Sequence, residues 1–218
     1  IGLGSAEVRK VASNRRILGP DGKVAFMRWT ACTDPDLRAR PVGIIDPLLK
    51  MISFWGDEKP LVVLSYYATH PQSYYRTGGA NPDFPGMARN LRESESGIRH
   101  IHFTGAAGNI GAGKWNDGSP ENRSILAGRV ADAMRRAWKN TERFTIDPQE
   151  VQWRSKTVQL PVAAHLNEQA LTGTLQDQQA DAAAKLAAAK GLAWLLRSRR
   201  GEGVEISCLS LGKARVLH

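Results

Sequence analysis

Reactive residue types in this chain gather in two stretches. The first is residues 101–115, Ile-His-Phe-Thr-Gly-Ala-Ala-Gly-Asn-Ile-Gly-Ala-Gly-Lys-Trp, where a short apolar strand runs into four glycines within nine residues. Glycine at this density lets backbone approach a bound group closely, and a loop that leaves a strand is where α/β proteins place ligands. Gly108-x-x-x-x-Gly113-Lys114 follows most of the phosphate-loop spacing. Such a loop also needs Ser or Thr after the lysine, to hold magnesium, and a helix that starts there. Trp115 and the break Asn116-Asp117-Gly118-Ser119 remove both, so nucleotide binding is not expected. What remains is the wall of a hydrolase site, with Gly108, Asn109, Gly111 and Lys114 as its candidate contacts.

The second stretch is Ala68-Thr69-His70-Pro71, just past an apolar run at 61–64. A histidine there suits a metal ligand or a general base; the alternative is a ring that satisfies loop carbonyls. His100 and His102 alternate with Ile101, so they share one face of a strand, a spacing that reads as structural between apolar neighbours. His165 has no partner, and no His-Glu-x-x-His is present, so no complete zinc site can be assembled. Asp83, after Asn81-Pro82, either caps a helix or reaches a ligand. Arg15, in an Asn14-Arg15-Arg16 turn, either clamps a carboxylate or carbonyl or lies exposed.

These residues need elements to hold them. A strand is expected near the start, and Pro20-Asp21-Gly22 is a turn before a strand at 23–29. Residues 33–41 read as loop, and strands at 48–54 and 61–67 pair as a hairpin around 56–59. Pro85 opens a helix to about 95, a strand covers 98–104, and Ser119-Pro120-Glu121 starts a helix to 139. Along that helix Ile125, Leu126, Val130, Met134, Ala137 and Trp138 recur at helical spacing and read as core. A strand at 151–160, a helix capped by Asn167, a longer alanine-rich helix at 177–199, a buried strand at 204–211 and a final strand at 214–218 follow. The fold class is α/β, a mixed β-sheet flanked by helices, taken as one unit over 1–218.

Composition narrows the function. With 42% hydrophobic and 23% charged residues, the chain is an ordinary globular sequence. No apolar run reaches the roughly 18 residues of a transmembrane helix. The chain begins with Ile1, which suggests a mature form or a piece of something longer. A net charge of +9 invites a nucleic-acid reading, but the basic residues are scattered, so no nucleic-acid partner is expected. Cys32 and Cys208 stand in no metal or redox spacing; a buried thiol pair or a disulfide both remain open.

In order and spacing, Asn14-Arg15-Arg16, Tyr67-Ala68-Thr69-His70-Pro71, Asp83-Phe84-Pro85-Gly86 and Gly105-Ala106-Ala107-Gly108-Asn109-Ile110 resemble the catalytic domain of the neutral/alkaline ceramidase family. The resemblance implies a zinc-dependent amidohydrolase that cleaves the N-acyl bond of a small-molecule or lipid amide, secreted or periplasmic. His70 matches one of the family's two zinc histidines, and Arg15 falls on an Asn-Arg pair near the substrate. Asn109 falls on the aspartate of the family's glycine loop, and Gly111 on its catalytic serine. The resemblance also implies that the other zinc ligands, a histidine, a glutamate and a tyrosine, lie outside these residues. A partial catalytic domain that is inactive alone is therefore expected. A binding domain that uses the glycine loop and Arg15 for a sugar or anion is the alternative.

Overall fold

The structure, a computed structural model, describes residues 1–218, which divide into two compact units, Ile1–Thr145 and Ile146–His218. The first contains, in order, β1 (Gly2–Glu7), β2 (Ser13–Asn14), β3 (Arg16–Leu18), β4 (Val24–Met27), α1 (Pro35–Ala39), β5 (Leu48–Gly56), β6 (Lys59–Tyr67), α2 (Asp83–Ser96), β7 (Arg99–Thr104), β8 (Ile110–Gly111), α3 (Pro120–Lys139) and β9 (Glu142–Arg143). Its main sheet has five strands in the order β7-β6-β5-β1-β9. The β6–β7 pair is parallel and the other pairs are antiparallel, which makes the sheet mixed. Parallel neighbours need a crossover, and α2 supplies it between β6 and β7. The β5–β6 hairpin closes over Asp57-Glu58, with Asp57 at φ 52° as a two-residue turn requires.

Alternation along the strands decides which face is covered. Leu49 and Met51 of β5 and Val63 and Tyr67 of β6 are buried in one core with Phe84 and Ala88 of α2 and Leu126, Val130, Met134 and Ala137 of α3. Burying each of the larger side chains contributes about 1.5–3 kcal/mol. Trp138 stacks on Trp55 at 5.4 Å between ring centres. Ile125, expected in the same stripe, is instead 49% exposed.

Two local expectations change. Residues 33–41 hold a short helix, because Asp34 accepts from the N–H groups of Asp36 (2.9 Å) and Leu37 (3.1 Å) and Pro35 occupies the first turn. Arg15 is not in a free turn: β2 precedes it and pairs with β8, and β3 follows it and pairs with β4.

The second unit contains a short 3-10 turn (Pro148–Glu150), β10 (Val151–Val158), α4 (Glu168–Gln176), α5 (Ala182–Arg199), β11 (Val204–Leu211) and β12 (Ala214–Leu217). Its strands form an antiparallel sheet in the order β10-β11-β12, and α4 packs on α5. Asn167 caps α4 as expected, accepting from Ala170 N–H at 2.9 Å. α5 starts later than expected because Asp181 takes the cap, accepting from Ala184 N–H at 2.7 Å. β11 buries only Ser207 and Leu211, since its neighbour β10 is itself exposed along most of its length. Cys32 and Cys208 are free thiols, the first buried and the second half-buried. No helix is long and apolar enough to cross a membrane.

Candidate functional site

β6 and β7 run in the same direction with Tyr67 opposite Thr104, so the segments after them leave the sheet at one edge. The N–H of Gly105 donates to the Tyr67 carbonyl at 3.0 Å, which keeps the two exits together. The crevice beyond the carboxyl ends of parallel strands is where open α/β sheets bind ligands. His70 stands three residues past β6. The Ile110 carbonyl accepts from its backbone N–H at 3.3 Å and from its ring Nδ1 at 2.7 Å. A carbonyl only accepts, so Nδ1 carries the proton and the neutral ring keeps its lone pair on Nε2. Metal-binding histidines are held in this manner.

The glycine loop is fastened on its other side by the first strands of the chain. In the β2–β8 ribbon Ser13 faces Gly111 and Asn14 faces Ile110, and the Ser13 hydroxyl donates to the Gly111 carbonyl at 3.2 Å. Arg15 donates from its backbone to the Asn109 carbonyl at 2.8 Å and from Nη2 to the Gly108 carbonyl at 3.1 Å. The Arg16 N–H donates to Asn109 Oδ1 at 3.0 Å. His70, Arg15, Gly108, Asn109 and Gly111 therefore share one neighbourhood, assembled from parts of the chain some 93 residues apart. The Ile110 N–H is spent on the Ala107 carbonyl at 2.9 Å, whereas those of Gly108 and Asn109 have no protein acceptor.

Packing explains one glycine and not the other. A Cβ on Gly113 would lie 2.1 Å from the Trp29 carbonyl oxygen, so only glycine fits. A Cβ on Gly111 would meet Arg15 Cδ at 3.4 Å, ordinary contact, so the loop accepts a side chain there. Lys114 is followed by no helix until Pro120, and the loop has no phosphate-loop form.

Asp83 and Lys114, both candidate substrate contacts, are engaged by the protein. Asp83 is 6% exposed, and its carboxylate accepts from Ser73 N–H (3.0 Å), Ser73 Oγ (2.6 Å), Phe84 N–H (2.7 Å) and Tyr74 N–H (2.9 Å). It pins the 73–74 loop to the start of α2, where the helix dipole favours a negative charge. Lys114 Nζ donates to the Arg38 carbonyl and, at 2.6 Å, to that of Arg40. Burial and then the neighbouring charges of Arg28 and Arg38 hold its pKa below the usual lysine value.

Sequence reasoning missed Arg28, a fully buried arginine with no acidic partner. Its guanidinium donates to the carbonyls of Asn14, Leu37, Arg40, Pro41 and Val42 at 2.9–3.4 Å. Its backbone N–H donates to the Arg15 carbonyl at 2.7 Å. A charged residue at the end of a short strand carries no local sign of such a role. Behind the site it ties residues 37–42 to β2.

His100 and His102 lie on the covered face of the sheet. Burial, with the charges of Arg92 and Arg89 respectively, lowers each pKa to about 4. His102 Nδ1 is 2.9 Å from Ser65 Oγ, and neither ring nitrogen of His100 has a partner. Nowhere do three His, Cys, Asp or Glu side chains come together to hold a metal ion. The residues present do not by themselves fit a zinc site: His70 offers one nitrogen of the right tautomer, and no group of three ligating side chains is assembled around it.

Fold and geometry together describe an α/β protein in which His70, Arg15 and the 108–111 loop meet where two parallel strands end. Among solved structures the chain is similar to the neutral ceramidase from Pseudomonas aeruginosa, with a TM-score of 0.56 at 15% identity over 99% of this chain. It spans 39% of the length of that protein. A structure described as a ceramidase complexed with C2 gives a TM-score of 0.49 at 17% identity, over 76% of this chain and 26% of its own. No family model and no curated protein matches the sequence. At these identities the likeness is one of fold.

Proposed function

We propose that this chain is part of a catalytic domain that hydrolyses an N-acyl amide, with His70 and Arg15 at the reacting group. The observation that carries the reading is the double hold on residues 108–111. The Ile110 carbonyl sets the His70 tautomer, and Arg15 and Arg16 hold Gly108 and Asn109 from the other side. The fold it shares with a neutral ceramidase supports the same reading.

In this reading His70 accepts at Nε2, Arg15 orients the substrate carbonyl, and the N–H groups of Gly108 and Asn109 meet the oxygen on which negative charge develops. No Ser, Thr or Cys stands between 105 and 115, so the loop itself offers no nucleophile, and in this reading water attacks. Zinc, if bound, would supply Lewis-acid polarisation and an acidified water, and His70 Nε2 is the nitrogen this chain would offer it.

The test is metal content and turnover of a fluorogenic N-acyl amide by the longest natural form of the protein. Zinc at one per chain and turnover, both lost in His70→Ala, are expected, with neither in the 218-residue chain alone. Turnover that survives His70→Ala would overturn the proposal. Saturable binding of the amide without turnover would instead support the binding-domain reading.

A further inference from the structure

The cations around this site have no anions. Arg15, Arg16, Arg28, Arg38, Arg40 and Lys114 are all bonded to, or next in sequence to, the glycine loop and its supports, and none forms an ion pair. Elsewhere in the same unit some cations are paired, while others, Arg99, Arg123 and Lys139 among them, form no ion pair either. Arg92 and Arg135 pair with Glu95, Arg136 with Asp132, and Arg143 with Glu58. Three of the nearby acids are committed to the backbone or to neighbours, while Asp36 on α1 is exposed and forms no ion pair. Asp34 caps α1, Asp46 binds Lys50, and Asp117 accepts from Ser119 and Asn122, with only a through-space attraction from Arg38. Carbonyl oxygens solvate Arg28 and Lys114 but cancel no charge, and Arg15 Nε is buried without an acceptor. Cations gathered without counter-ions sum to a field that raises the local anion concentration.

Apolar surface borders the same cations. The β3–β4 hairpin, which starts at Arg16, exposes Leu18 (61%) and Phe26 (43%), and Arg40 stacks on the Phe26 ring at 4.5 Å. Trp29, beside Arg28, is 61% exposed. Exposed Arg16 and Arg40 beside this apolar surface match an amphiphile with an acidic head.

We propose that the substrate class of this site is an acidic N-acyl amide, one whose amine-side portion carries a carboxylate or a phosphate. The proposal rests on the amide-hydrolysis reading of the same site. A guanidinium binds either anion through paired N–H···O bonds. A neutral hydroxyl head would leave the cations uncompensated, and so bind less tightly.

Three ligands with one acyl chain test this: N-octanoylglycine, N-octanoyl-O-phosphoethanolamine and the neutral N-octanoylethanolamine, each titrated into the 218-residue chain by calorimetry. At least one acidic ligand should bind about tenfold or more tighter than the neutral one at about 50 mM salt, and the gap should narrow at about 500 mM. The two acidic arms tell carboxylate from phosphate. Arg15→Gln and, separately, Arg40→Gln should shrink the preference while keeping the thermal melt. The salt series needs no variant, so it stands if either fails to fold. Equal or tighter binding of the neutral ligand, or no binding of any, overturns the proposal. The two proposals fail separately. Equal kcat/KM for neutral and acidic amides in the longest natural form sinks this one alone, and tight acidic binding with no turnover of any amide by that form sinks only the hydrolase reading.

Discussion

His70 Nδ1 lies 2.7 Å from the carbonyl oxygen of Ile110, a residue 40 positions further along the chain. One atom thus decides which nitrogen of the candidate catalytic ring carries the proton, and it belongs to the loop that forms the site's wall. The neutral ring should be the Nδ1–H tautomer. Nitrogen-correlated NMR of the imidazole checks this, and an Nε2–H pattern at alkaline pH would contradict the geometry.

Arg28 should be the costliest polar residue to replace in the first unit. Arg28→Met removes the guanidinium bonds to five carbonyls, of which those of Arg40 and Val42 keep a second donor, and buried acceptors left unpaired cost about 1–3 kcal/mol each before relaxation and water entry. A net loss of about 2–4 kcal/mol is expected in urea unfolding. Arg28→Lys should recover only part of it, because one ammonium cannot span the fan of acceptors.

Stability should fall with pH below neutrality. His100 and His102 titrate at about 4 in the folded chain against 6.5 unfolded. Between those values the unfolded state binds more protons, so their contribution is whole above 6.5 and is lost as pH drops toward 4. The groups facing them are Arg92 and Glu93 for His100, and Arg89 and the Ser65 hydroxyl for His102. By about pH 5.5 the loss should reach about 1 kcal/mol per histidine. Urea melts over this range measure it, and His100→Leu should flatten the slope. A pH-independent midpoint would contradict the burial of both rings.

Two glycines of one loop should answer differently to substitution. Gly111→Ser should fold with stability within about 0.5 kcal/mol of the parent, because its Cβ finds ordinary contact with Arg15. Gly113→Ala should cost about 2 kcal/mol or more, because its Cβ would fall 2.1 Å from the Trp29 carbonyl oxygen. Thermal melts of the two variants side by side check the contrast.

What sequence alone determined is what near neighbours decide. The β5–β6 hairpin, the Asn167 cap, Pro120 at the head of α3 and that helix's inward stripe all rest on spacing within a turn or two. The order of the quoted motifs placed His70, Arg15 and the 108–111 loop as one candidate site, but motif order says nothing of how they meet. Tertiary structure alone decided that Arg15 is fastened between two strands, that Asp83 and Lys114 are spent on the backbone, and that Arg28 supports the site with no acid beside it. The reason is range. A cap or a hairpin turn satisfies its hydrogen bonds within a few residues, whereas the acceptors around Arg28, His70 and Arg15 are carbonyls from distant segments. Backbone carbonyls are alike in every residue, so no residue type marks them until packing brings them together.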